Sequence, residues 1–235
     1  MPGKYMRGAL VQFMPTFLTP VPNVIIFQYN PETMTHTWTQ PEAAGTEVTR
    51  SNPLAVRGLP GESFSFSISM DAVDMIADGS PVALGVATVS GVYSRLAALE
   101  MLLFPTNTFA AGGLVGQVAA SLVGAVTGDT DRAVPESQAP MVLFVWGPGR
   151  IVPVRVTTLT ITEKLYDEFL NPTHAEAQLS LRILTPEELL DKNLGTLAPV
   201  AKAAYLYSQG LRQTLATTNL ANAVESIIGM LPVGL

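Results

Sequence analysis

The sequence predicts a mainly β domain over residues 1–190, followed by a helical C-terminal extension over residues 191–235. Short apolar runs bounded by proline, glycine and asparagine fill the first two-thirds of the chain, as is typical of strands and turns. The segments 62–70 (ESFSFSISM) and 174–184 (HAEAQLSLRIL) alternate apolar and polar residues, which indicates strands with one buried face. From residue 198 onward, apolar residues recur at steps of three and four, the period of a helix.

The first strands are predicted over residues 8–14 (GALVQFM) and 23–29 (NVIIFQY). The second run stops at Asn30-Pro31, because proline lacks an N–H, fixes φ and disfavours the α region for the residue before it. Residues 34–40 (MTHTWTQ) alternate again. We therefore expect 23–29 and 34–40 to pair as a hairpin.

The period changes in the middle of the chain. Residues 92–104 carry Val92, Leu96, Leu99 and Leu103 at helical spacing, and Pro105 follows, so they predict one amphipathic helix. A Gly/Ala-rich insertion spans about 106–138, and we expect it to be ordered only against a neighbour. Its glycines and polar residues dilute the apolar character that a membrane-spanning helix needs, so no membrane span is expected.

The next elements are a buried strand at 141–147 (MVLFVWG), a glycine-proline-glycine turn and a long strand at 150–166. A loop around Asn171-Pro172 leads into the strand at 174–184. Thr185 is a good N-cap and starts the helical region.

The C-terminal helix is predicted to carry an apolar docking stripe. It holds only three charged residues, too few for a freely solvated helix, so we expect it to pack on its own sheet or on a partner. The candidate docking residues are Val200, Tyr207, Leu211, Leu215, Leu220, Val224 and Ile227.

Composition favours a protein with extensive interfaces. Charged residues make up 14% of the chain against ~25% for an ordinary soluble domain, and apolar residues make up 48%. Permanent interfaces are similarly poor in charge. A net charge of −6 argues against nucleic-acid binding, and the absence of cysteine excludes disulfides and thiolate chemistry.

No catalytic, cofactor or metal-binding motif is found in the sequence, so neither an enzyme nor a cofactor is expected. His36 and His174 lie in alternating strands and are interpreted as structural, and Trp146 is interpreted as a core anchor. The same structural interpretation applies to two pairs of acids, Asp71/Asp74 and Asp129/Asp131.

Two short motifs resemble a known family. Phe27-Gln28-Tyr29-Asn30-Pro31 ends an N-terminal strand, and Trp146-Gly147 ends a buried strand before a turn. A strand, an aromatic-containing turn near Tyr166 and a last strand follow. In order and spacing this resembles the tube-like adaptor proteins of contractile injection systems, which are phage-tail-like particles.

The resemblance implies a phage-tail-tube-like fold, with antiparallel sheets packed as a barrel or sandwich beside one flanking helix. It implies a structural ring, typically a hexamer, whose partners are its own copies, the inner tube and the baseplate and spike proteins. Assembly would occur in the cytoplasm of a bacterium or archaeon. Many relatives carry a LysM domain after the last strand, and none is evident here. An inner-tube or tube-initiator protein and, from another class, a membrane-associated binding module remain the alternatives.

Overall fold

In a computed structural model the chain forms seven strands and three α-helices over the described residues. These residues are 5–14, 21–41, 54, 56, 58–77, 90–104, 139–190 and 198–230, without the side chains of 13, 14, 21, 22, 75–77, 190, 221, 222 and 224–230. The strands are β1 (Ala9–Met14), β2 (Val21–Ile26), β3 (Met34–Thr39), β4 (Gly61–Asp71), β5 (Val142–Val145), β6 (Ile151–Tyr166) and β7 (Pro172–Ile183). The helices are α1 (Ala72–Ala77), α2 (Tyr93–Glu100) and α3 (Ala198–Met230), and Glu188–Leu190 forms one 3₁₀ turn. The insertion at 106–138 lies outside the described residues.

All seven strands belong to one antiparallel sheet with the order β2-β1-β5-β6-β7-β4-β3. The long strand β6 is shared by both halves of this sheet. Its first residues, from Ile151 to Val154, pair with β5, and the stretch from Val154 to Tyr166 pairs with β7. The register shifts between Val156 and Thr158, which is where a bulge can bend the strand.

The sheet is strongly curled, because side chains from distant strands meet in one core. Two strands separate β4 from β5, so a flat sheet would hold them roughly 14 Å apart. Yet the rings of Phe64 and Phe144 are centred 5.4 Å apart, and those of Phe66 and Phe144 5.5 Å apart. The two halves of the sheet therefore face each other. The described ladder does not close into a barrel, since it ends at β2 and β3.

The predicted hairpin between residues 23–29 and 34–40 is wrong. β2 pairs with β1, β3 pairs with β4, and the two strands lie at opposite ends of the sheet. The reason is that β2 ends at Ile26, and Phe27 then turns into the core instead of continuing the strand. The chain crosses between the two halves at this point.

The flanking helix is confirmed as α2, which packs into the core between the two halves of the sheet. Val92, Leu96, Leu99 and Leu102 are buried there. The sequence pattern assigned Leu103 to this face, but its side chain is 41% exposed, because the last turn of the helix tightens after Glu100. Within the described parts of the chain, no helix has the length and hydropathy that a membrane crossing requires.

Candidate functional site

Phe27, the first residue of the Phe27–Pro31 motif, anchors an aromatic cluster. It is 1% exposed, and its ring lies 5.5 Å from that of Phe66 and 6.4 Å from that of Trp146. Gly8 closes the cluster, since a Cβ at this position would come within 2.6 Å of the indole of Trp146. Trp146 is partly buried and packs against the main core, and only glycine fits opposite it.

Gln28 bridges the gap between the two halves of the sheet. Its Nε2 donates to the carbonyl of Asp71 at 2.8 Å, and its Oε1 accepts from the N–H of Asp71 at 3.0 Å. A buried side-chain amide thereby replaces a strand partner at the end of β4. Sequence reasoning missed this residue because glutamine within an apolar run resembles an outward-facing strand residue.

The rest of the motif fastens the N-terminal segment to the sheet. Asn30 Oδ1 accepts from the N–H of Gly8 at 2.8 Å, and its Nδ2 donates to the carbonyl of Met6 at 2.9 Å. The hydroxyl of Tyr29 donates to the carboxylate of Asp74. Pro31 follows, partly buried. Each of these motif residues therefore has a place in the fold.

The Trp146-Gly147 turn is held from two sides. Gly147 has φ of +68°, a conformation that favours glycine, and the N–H of Trp146 donates to the carbonyl of Arg150 at 2.8 Å. The hydroxyl of Tyr207 on α3 donates to the carbonyl of Pro148 at 2.8 Å. The C-terminal helix is thus attached to its own β domain at this turn.

The first half of α3 packs in cis. Ala201, Tyr205 and Ser208 are buried, and Tyr205 joins the main core. The hydroxyl of Ser208 donates to the carbonyl of Ile151 at 2.8 Å and accepts from its N–H at 3.1 Å. These bonds satisfy the backbone at the start of β6, so this half of α3 belongs to the domain itself.

A buried carboxylate fixes the same helix farther along. Glu62 on β4, with a side chain 3% exposed, accepts two hydrogen bonds from the guanidinium of Arg212 and lies 2.6 Å from Nε2 of His36. The guanidinium also lies 4.8 Å from the ring centre of Trp38 on β3. Burial of this carboxylate requires such partners. Glu62 and Arg212 thus form a latch between α3 and the sheet.

The predicted docking stripe is largely outside the packed face. Val200 is 47% exposed, Tyr207 48%, Leu215 68% and Leu220 66%, whereas Leu211 is partly buried. The side chains of Val224 and Ile227 lie outside the described residues. Every residue from 213 to 220 is exposed, so this part of α3 extends past the sheet.

A second exposed apolar surface is formed by residues 165–171, the last two residues of β6 and the loop that leads to β7; we call it the β6–β7 tip. Four large side chains stand out from it: Leu165 is 72% exposed, Tyr166 54%, Phe169 81% and Leu170 78%. Leu165 and Leu170 also have positive φ, of 55° and 63°. This conformation costs a non-glycine residue about 1–2 kcal/mol, so the tip holds two leucines outward in strained geometry.

Asp167 holds the tip in a single bonded turn. Its Oδ1 accepts from the N–H groups of Phe169 and Asn171, both at 2.8 Å, and its Oδ2 accepts from Nδ2 of Asn171 at 2.9 Å. The hydrogen bond from the Asn171 side chain, together with these backbone N–H groups, lowers the pKa of Asp167 below its ordinary value. The apolar side chains are therefore presented by an ordered turn. The signal in the sequence was leucine and phenylalanine inside an otherwise polar turn.

Asp71 precedes the first residue of α1 and has a structural role there. Its Oδ1 accepts from the N–H of Val73 at 2.8 Å, and Nδ1 of His174 lies 3.3 Å from its Oδ2. Burial alone would raise the pKa of Asp71, but the hydrogen bonds from Val73 and His174 outweigh it, and the pKa is lowered. The pair Asp129/Asp131 lies outside the described residues.

No group of three or more His, Asp or Glu side chains positioned to hold a metal ion occurs in the described segments. Comparison with protein-family models and with curated proteins finds no match to this chain.

Proposed function

We propose that this chain is a non-enzymatic ring component of a phage-tail-like contractile injection system, joining the inner tube to the baseplate and spike. In this proposal each copy has a tube-like fold whose curled sheet stays open between β2 and β3, and several copies, typically six, complete a ring. The motif order described above supports the family, and the contacts of Phe27, Asn30 and Trp146 support a structural use of those motifs.

One observation carries the proposal: the curled sheet ends in two strands that each have a single described partner strand. An exposed strand edge is a template for pairing with another chain. On β2, Val24 is 48% exposed and Ile26 52%, and on β3 Trp38 is 46% exposed. If β2 of one copy lies along β3 of the next, the contact is heterologous and closes into a ring when the rotation fits.

The half of α3 that extends past the sheet has a role in the same proposal. Leu215 and Leu220 are exposed on a helix that contains little charge. We infer that this segment docks on a neighbouring tube or baseplate component. Replacing Leu215 with Asp should then leave the domain folded, because that side chain is 68% exposed.

The ring is tested with the full chain by mass photometry and negative-stain electron microscopy. We expect closed rings at micromolar concentration and their loss in Val24→Lys, which places a charge on the exposed face of β2. The matched control is Gln178→Lys, also exposed but on β7, where it pairs with Ser67 on β4 and with Thr160 on β6. A chain that stays monomeric, or rings that survive Val24→Lys, would contradict ring formation through β2.

The injection system itself is tested by the gene neighbourhood and by the particle. Genes for sheath, tube, spike and ATPase beside this one are expected. Deleting this gene should give particles in which tube and baseplate are not joined. Complete particles without this chain would refute the assignment, and long stacks of the purified chain would favour an inner-tube protein instead.

A further inference from the structure

The β6–β7 tip is built to present apolar side chains. Phe169 and Leu170 are among the most exposed large apolar residues described, and Leu170 stands in left-handed geometry that asparagine or glycine would adopt with less strain. A turn that served only to reverse the chain would not need these residues. Strain and exposure at one place indicate a contact made after folding.

The charge around the tip restricts what can cover it. Glu163 and Glu168 are exposed, and Asp167, whose pKa is lowered by the side-chain and backbone hydrogen bonds of the turn, adds a third carboxylate. The positive charge of Lys164 is balanced by the carboxylate of Glu176, which lies 2.5 Å away. The tip is therefore apolar and acidic, so a matching surface is apolar and basic.

This chain carries such a surface on the side of α3 that faces away from the sheet. We call it the outer face of α3; its exposed residues are Pro199, Lys202, Ala203, Leu206 and Gly210. Leu206 is 54% exposed, one helical turn after Lys202, and α3 contains no acid before Glu225. Space is open beside Gly210, where a Cβ would meet nothing within 4 Å.

The tip and the outer face of α3 cannot meet within one copy. α3 contacts β6 at Ile151, where Ser208 binds the backbone, whereas the tip follows Tyr166 at the other end of that strand. A strand of 16 residues spans roughly 50 Å. Any contact between the two surfaces therefore joins different copies.

We propose that the β6–β7 tip of one copy seats on the outer face of α3 of a second copy, with Phe169 and Leu170 against Leu206 and with Glu168 facing Lys202. The two surfaces differ, so the contact is head-to-tail. The tip can bury on the order of 500 Å² of apolar surface, against roughly 800 Å² per partner in a standard interface. The tip is therefore the anchor of a larger contact between the two copies. This inference is independent of the ring formed by the strand edges.

The first experiment measures self-association of the full chain by sedimentation velocity over a concentration series. We expect Phe169→Ser to weaken association about thirtyfold or more, as for a buried aromatic anchor, with an unchanged thermal melt because Phe169 is 81% exposed. Leu170→Asn should raise Tm by about 2–4 °C by relieving strain and should still weaken association. Association unchanged in both variants would overturn the proposal.

Charge exchange identifies the surface that receives the tip. Glu168→Lys and Lys202→Glu should each weaken association about tenfold, because each places like charges opposite one another. The double variant should restore it. Failure of the double variant to recover would overturn the pairing with α3. Thr160→Lys, at an exposed position on β6, is the control for a charge added outside both surfaces.

Two further experiments distinguish the proposed contact from the strand-edge ring and from membrane binding. Val24→Lys tests the ring formed by the strand edges. If this variant forms no ring but still associates through the tip, the two interfaces are distinct. Flotation with vesicles of zwitterionic and of anionic lipid should show no binding. Vesicle binding that disappears in Phe169→Ser would overturn the proposal and identify the tip as a membrane-inserting loop.

Discussion

Replacing Phe27 with Ala should remove the centre of the aromatic cluster. The side chain is 1% exposed and lies between the rings of Phe66 and Trp146, which belong to opposite halves of the sheet. Deleting a buried phenylalanine side chain costs about 3–5 kcal/mol of unfolding free energy. The upper end of this range applies where rigid neighbours cannot move in to fill the cavity. Sheet strands surround this site on both sides. For a chain of this size the loss corresponds to a Tm lowered by roughly 6–20 °C.

The measurement is urea unfolding followed by circular dichroism, at a concentration at which the wild type is monomeric, because association would add its own stability. Ile26→Ala is the matched control: this neighbour on β2 is 52% exposed, and its loss should cost less than about 1 kcal/mol. Pro31→Ala should cost about 1 kcal/mol or less. A Phe27 variant as stable as wild type would refute the assignment of the motif to the core. If the alanine variant does not fold, Phe27→Leu should lower stability in the same direction by a smaller amount.

Three other changes probe separate features. Arg212→Met should destabilise the domain by up to about 3 kcal/mol, since Glu62 stays buried with the imidazole as its remaining partner. Limited proteolysis should then cut α3 near residue 212, and unchanged resistance would argue against the latch. Gly8→Ala should cost about 1–3 kcal/mol because the new methyl meets the indole ring, which a melt at unchanged Tm would contradict. Asp167→Asn tests the turn: the carboxylate has a lowered pKa, so its contribution is complete above the ordinary value of 3.8 and is lost as pH falls through the lowered pKa. Hydrogen exchange of the Asn171 amide should accelerate in this variant at pH 7, and unchanged protection would refute the role of the carboxylate.

Local patterns predicted the strands but not their partners. The alternation at 62–70 gave the buried face of β4 correctly, because period two reports only on the strand itself. The pairing of β1 with β5 joins residues far apart in the chain, such as Ala9 and Val145, and no local signal encodes it. The predicted hairpin failed for this reason. Phe27 and Gln28 look like two more residues of β2, but a core contact and a side-chain bridge take them out of it.

The C-terminal helix was predicted in extent but not in orientation. The sequence predicted that the stripe through Tyr207 and Leu211 would be the docking face of the helix, because its residues are apolar. The packed face instead contains Ser208 and Arg212, which are polar but find partners in the backbone of β6 and in Glu62. A polar residue can be buried when its bonds are satisfied. The sequence alone does not contain the position of those partners.

The shared strand β6 also determines when the sheet can form during biosynthesis. β1 and β2 leave the ribosome first, but β1 needs β5, and β5 needs β6. At ~5–20 residues per second, synthesis from Ala9 to Ile183 takes roughly 10–35 s. For that interval the nascent N-terminal hairpin exposes Leu10 and Ile25, which are buried in the finished protein. We therefore expect the nascent chain to expose an apolar surface that a chaperone can cover until β6 emerges, because β5 has no partner on that side before then.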